Sequence, residues 1–178
     1  DAGANLFLAK GRNQVEAGLD GRAALEAAIR ESEAALRLDP PSPGRIRQAL
    51  AEALAFSGQA EWLSGVDPRP SLERAAREAE VLHPLAGGSF IGTYRAVYVL
   101  AMASWTLLDM GADSRAFVSR ALEILEQARA AHPEQPLLLF LQGQMLGVDA
   151  RRRALAGEDP LPSIAGSRRL VTEAARRM

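Results

Sequence analysis

Gly65-Val66-Asp67-Pro68-Arg69-Pro70 ends one helix and begins another within six residues. Glycine lacks a Cβ and takes up the left-handed conformation that closes a helix C-terminus. An aspartate two residues later accepts from the free N–H groups of the next helix and suits the positive end of its dipole. Proline then falls at the first helical position, where a missing N–H costs nothing. The same phrase recurs as Gly18-Leu19-Asp20, Gly111-Ala112-Asp113 and Gly157-Glu158-Asp159, in steps of 47, 46 and 46 residues, and the last is followed by Pro160. Seven residues after each glycine stands an apolar side chain: Leu25, Leu72, Val118 and Ile164. A fixed period of this length marks a stack of like units. The four aspartates are therefore caps and not a set of acidic sites.

Around each turn the apolar residues recur at helical spacing, as in Leu25, Ala28, Ile29, Ser32, Ala35 and Leu36, or Val118, Ala121, Leu122, Leu125 and Ala128. The spacing predicts first helices over about 4–17, 45–64, 90–110 and 136–156, and second helices over about 21–38, 68–82, 114–131 and 160–177. Units of about 1–40, 41–84, 85–133 and 134–178 follow, three of them running down to Pro40, Pro84 and Pro133. The second unit is three residues shorter between its Gly and its Pro, which predicts a second helix short by about one turn. The expected fold is all-α: an α-solenoid of four antiparallel helical hairpins, about eight helices, in one domain that is a piece of a longer protein.

Composition agrees with this reading. Hydrophobic residues make up 48% of 178 and aromatics only 5%, so the core is expected to be closely spaced helices meeting through small side chains. The net charge of −1 gives no global pull toward nucleic acid or membrane. There is no cysteine, so disulfides and thiolate metal sites are excluded. The longest apolar stretch, Ala96 to Met110, is too short for a bilayer, which takes roughly 20 apolar residues. The expectation is a cytoplasmic protein without a membrane partner.

Two helices per repeat, small residues at the contacts and a terminal Pro resemble the tetratricopeptide superfamily, although its repeat is roughly 34 residues long. The longer period and the Gly-x-Asp-Pro-Arg-Pro turn, with Trp62 ahead of it, more closely resemble the tetratricopeptide-like arrays downstream of the catalytic domain in multidomain bacterial serine/threonine kinases. Gly157 to Pro162 departs from that turn only at Leu161, Gly111 to Ala116 keeps Gly, Asp and Arg115 with Trp105 upstream, and Gly18 to Ala23 keeps Gly, Asp and Arg22. The resemblance implies a non-catalytic interaction scaffold or sensor module. No kinase signature, nucleophile elbow or Walker loop occurs in the chain.

In stacks of this kind the first helices line a long binding face. The polar and aromatic residues placed there are Arg45, Gln48 and Glu52; Tyr94, Arg95 and Tyr98; Gln142, Gln144 and Asp149. Tyr94 and Tyr98 lie one turn apart beside Arg95, and Tyr with Arg is the composition of binding hot spots. The expected partner is a protein or peptide segment, with no cofactor and no metal. The first helices carry no two-Lys, two-Asn clamp, so a C-terminal carboxylate is not the expected ligand. A regulatory domain that senses a small ligand or peptide for an attached effector is the alternative.

The remaining features have plainer readings. Trp62 and Trp105 are expected to wedge into the core. His83 and His132, each before a Pro, read as polar residues closing a helix, and Gly87-Gly88-Ser89 as a loop. Residues 150–178 hold seven Arg against three acids. They form a solvated face or, as a further alternative, a patch for nucleic acid or an acidic partner. Exposed ends of the stack could also self-associate.

Overall fold

A computed structural model of the chain describes residues 2–38, 40, 41, 43–85 and 90–178. They form eight helices: α1 (Ala2–Glu16), α2 (Arg22–Arg37), α3 (Pro43–Leu63), α4 (Arg69–Leu85), α5 (Phe90–Asp109), α6 (Arg115–Ala131), α7 (Pro136–Leu155) and α8 (Leu161–Arg177), and no strand occurs among the described residues. Each helix packs on the next in sequence. In addition α1 packs on α3, α3 on α5, α5 on α7 and α4 on α6; among the described residues no helix packs on one further than two places along.

The four turns have one geometry. Gly18, Gly65, Gly111 and Gly157 all lie at φ between 71° and 76°. Each glycine N–H bonds three residues back, and the next N–H bonds five residues back, as in Gly65 N to the Trp62 carbonyl (2.9 Å) and Val66 N to the Glu61 carbonyl (2.8 Å). This double closure satisfies the last carbonyls of the first helix. The aspartates then cap the second helix: Asp20, Asp67, Asp113 and Asp159 accept from the backbone N–H two residues on at 2.9 to 3.1 Å. Pro160 already has helical backbone (φ −83°, ψ −13°), and the carbonyls of Pro68 and Pro160 accept the first helical bonds of α4 and α8. Asp113→Ala is expected to lower the free energy of unfolding by about 1 kcal/mol, measured by urea denaturation, because it strips the Arg115 N–H of its acceptor.

Small residues bring the helices close. Leu25 and Leu72 are fully buried, and each sits over a glycine of the opposite helix. A Cβ at Gly11 would come within 2.6 Å of Leu25 Cγ, and one at Gly58 within 2.5 Å of Leu72 Cδ2. Gly11 and Gly58 lie seven residues before their turn glycines, Leu25 and Leu72 seven after. The small partner seven before the turn was not singled out in the sequence. In the other two hairpins the corresponding residues are Ser104 with Val118 and Ala150 with Ile164. α3 is buried almost all round from Ala49 to Gly58 because α1, α2, α4 and α5 all pack against it.

Ion pairs between hairpins repeat a register. Arg74 bonds Glu33 at 2.5 Å and Arg120 reaches Glu80 at 3.2 Å. In both, the arginine lies nine residues after its own turn glycine and the glutamate fifteen after the preceding one. On the first helices Arg95 pairs with Glu52 (3.1 Å) and Arg151 with Asp109 (2.9 Å). Apart from Arg95–Glu52, whose carboxylate is buried, these are exposed pairs that contribute little stability singly; their repetition records how successive hairpins are placed.

Three expectations need correction. α4 is not shortened: it has 17 residues, as α6 and α8 do, and continues through Pro84 to Leu85. A proline in the last turn forfeits one hydrogen bond without breaking the turns before it. Of the loose segment expected from Pro84 to Thr93, Pro84 and Leu85 are helical in α4 and Phe90 to Thr93 in α5, while 86–89 lie outside the described residues. Ile164 is 41% exposed, unlike Leu25, Leu72 and Val118, because no further helix of the described chain covers that face of α8. Trp105 is 40% exposed and is not a core wedge; Trp62 is half-buried. His132 does close α6 as its C-cap residue. The side chain of His83 and the Gly87-Gly88-Ser89 segment lie outside the described residues.

Candidate ligand-binding groove

Exposed aromatic side chains on α5 follow one face of that helix. Tyr94 is 44% exposed and Tyr98 half-buried, and their rings stack at 6.4 Å with 13° between planes. Trp105 falls on the same face two turns further on, with the Arg151 guanidinium 4.9 Å over its ring. Facing this stripe, α7 presents Leu141, Gln144, Met145 and Gly147. Together the two helices enclose a groove of about 450 Å³ whose floor is apolar and whose rim is aromatic and amide. Such a combination of apolar walls with a few polar groups is typical of binding sites.

A charged network adjoins it on the α3 side. Glu52 is nearly buried, accepts from Gln48 Nε2 at 2.9 Å and pairs with Arg95 Nη1 at 3.1 Å. Burial pushes the Glu52 carboxyl above its ordinary value, against the opposing pull of Arg95 and Arg12. Burial likewise raises the Tyr98 hydroxyl, helped by the negative charge of Glu52. A carboxyl whose folded pKa is raised binds protons more readily folded than unfolded, so its contribution to stability falls as pH rises from the ordinary value through the raised one. Glu52→Gln is therefore expected to gain stability relative to the parent as pH is raised from 4 to 7, read as the change in melting temperature. A constant difference across that range would refute the burial argument.

The structure thus brings Tyr94, Tyr98 and Gln144 into one groove and Gln48, Glu52 and Arg95 into the network beside it. It separates the other three candidates. Arg45 lines a smaller cavity of about 270 Å³ between α1, α2 and α3 with Asn5 and Glu31. Gln142 turns toward α6, where its Oε1 accepts from Arg129 Nη1 at 2.5 Å. Asp149 is 8% exposed and faces α8: its oxygens take Arg152 Nε (2.9 Å), Arg153 Nε (2.7 Å) and the Ser163 hydroxyl (2.6 Å). Sequence reasoning missed Trp105 as a groove residue and Arg151 as the cation over its ring. Trp105 lies seven residues, two helical turns, after Tyr98, and that spacing was the available signal.

The Arg-rich last hairpin is mostly engaged in the fold. Arg151 pairs with Asp109, Arg152 and Arg153 with Asp149 and Glu158, and Arg177 with Glu173. Arg168, Arg169 and Arg176 on exposed α8 have no partner among the described residues. No group of three or more His, Cys, Asp or Glu able to hold a metal occurs among the described residues, and no helix there is long and apolar enough to cross a membrane. No family model, curated protein or solved structure matches the chain significantly.

Proposed function

We propose that the chain is a non-catalytic binding module, an α-solenoid of four tetratricopeptide-like hairpins that holds a protein or peptide segment along its first helices. The observation that carries this reading is the open groove between α5 and α7, rimmed by Tyr94, Tyr98 and Trp105. Helices that contact only near neighbours make an extended surface of the kind repeat proteins use for binding. On the turn motif, the module belongs to a larger cytoplasmic bacterial signalling protein of the serine/threonine kinase type, as scaffold or sensor arm. The alternative partner surface, an acidic segment or nucleic acid on α8, draws on Arg168, Arg169 and Arg176 alone, since the other four arginines there are paired within the fold.

Selection of a random peptide display library on the immobilised protein tests the reading. Selected peptides are expected to lose affinity by about tenfold or more on Tyr94→Ala with Tyr98→Ala, and to retain it on Arg168→Ala with Arg169→Ala. Peptides that bind the tyrosine variant as tightly as the parent would move the site elsewhere.

A further inference from the structure

We infer that the cavity between α1, α2 and α3 is a second binding site, one that takes a free α-amino acid with a small aliphatic side chain. Three helices each bring one exposed polar residue to its mouth: Asn5 from α1, Glu31 from α2 and Arg45 from α3. Its floor is apolar, with Ala4, Ile46 and Ala49 all buried. None of the three polar side chains has a partner among the described residues. Opposite charges that meet between neighbouring hairpins elsewhere close on each other, as Arg74 does on Glu33 and Arg95 on Glu52; Glu31 and Arg45 line one cavity and stay apart. A ligand with one charge of each sign spans them. Its carboxylate takes the Arg45 guanidinium in the planar fork that suits it, its ammonium takes the Glu31 carboxylate, and the Asn5 amide serves either head. The side chain of the ligand then lies on the apolar floor.

Cavity size sets the side chain. At about 270 Å³ the space lies just below the range of about 300 to 1,000 Å³ that holds drug-sized ligands, and at about 30 Å³ per water it has room for about nine waters. Leucine has as many non-hydrogen atoms, and an aromatic amino acid has more. The stack itself does not call for such a site. Counted from the turn glycines, Leu50, Val81 and Leu82 of the second hairpin hold the register of Gly3, Ala34 and Ala35, so small residues open the space here. Between the third and fourth hairpins Ile124 and Leu137 hold the register of Glu31 and Arg45, so apolar residues serve the fold at that place. The cavity is separate from the α5/α7 groove and does not depend on what that groove holds.

Equilibrium dialysis of the chain against radiolabelled L-leucine, up to millimolar concentration, tests the inference. Saturable binding is expected, with unlabelled leucine competing at least about tenfold better than 4-methylpentanoate, which lacks the ammonium, or 3-methylbutylamine, which lacks the carboxylate. Arg45→Gln and Glu31→Gln are each expected to weaken leucine by about tenfold, and Ala35→Leu, which places the second hairpin's residue on the floor, to abolish binding. Tyr94→Ala with Tyr98→Ala, in the other groove, is expected to leave it unchanged. Circular dichroism checks the fold of each variant. The inference is overturned if leucine does not bind saturably, if either single-headed analogue competes as well as leucine, if Arg45→Gln and Glu31→Gln both bind as the parent does, or if the tyrosine variant loses leucine. Equal competition by L-phenylalanine would overturn the aliphatic assignment.

Discussion

Leu72→Ala is expected to lower the free energy of unfolding by about 3 kcal/mol, and Gly58→Ala is expected to change sign depending on whether Leu72 is present. Leu72 is fully buried in the largest apolar cluster, and large-to-small changes at such sites cost about 2 to 5 kcal/mol through lost transfer energy and the cavity left behind. Gly58 lies directly under it. With Leu72 in place, a methyl at 58 would approach Leu72 Cδ2 to 2.5 Å and Cγ to 2.8 Å. Overpacking of about 1 to 3 kcal/mol then outweighs the roughly 1 kcal/mol that alanine gains over glycine within a helix. With Leu72 shortened, the same methyl enters the vacated space and the helical preference is released. Urea denaturation of the two single variants and the double variant completes the cycle. Additive effects would show that the leucine does not seat on the glycine as described.

Arg152→Met is expected to cost about 2 kcal/mol, by removing the buried guanidinium's hydrogen bonds to Asp149 and Glu158 while Arg153 and Ser163 keep Asp149 partnered. Arg152 is 5% exposed; it bonds Asp149 Oδ1 at 2.9 Å and both oxygens of Glu158 at 3.0 and 3.2 Å. Burial alone would push the Asp149 carboxyl up, but hydrogen bonds from Ser163, Arg153 and Arg152 together outweigh it and hold the group below its ordinary range. A depressed carboxyl contributes stability that is present above its unfolded pKa and lost as pH falls toward the folded one. The deficit of the Arg152→Met variant is therefore expected to be widest near neutrality and to narrow below about pH 4. A deficit that does not vary with pH would show that Arg152 acts by packing alone.

Turn chemistry is where the sequence was most legible. The Gly and Asp types at fixed spacing force a local backbone whatever surrounds them, so the four turns and most of the helix limits could be placed from composition of a few residues. Features that depend on which face meets which neighbour were less accessible. Trp105 and Ile164 are apolar residues that the three-dimensional arrangement leaves exposed, and apolar character alone does not distinguish them from Leu72. Gln142 and Asp149 share the first-helix pattern of Gln144, yet a few steps of about 100° around α7 send them toward α6 and α8. Proline in α4 shows the converse limit: its propensity to stop a helix is local, and at the last turn it is simply tolerated.

The restriction of packing to helices one or two places apart has a consequence for synthesis. No helix waits on a distant segment before it can be covered, so the mean sequence separation of contacts stays small and the barrier from loop closure is low. A ribosome adds residues at about 5 to 20 per second, and each emerging hairpin finds its docking surface already displayed by the one before it. Folding can keep pace with translation, one hairpin at a time, and an apolar helix face is left uncovered in the nascent chain only for the seconds that the next hairpin takes to appear.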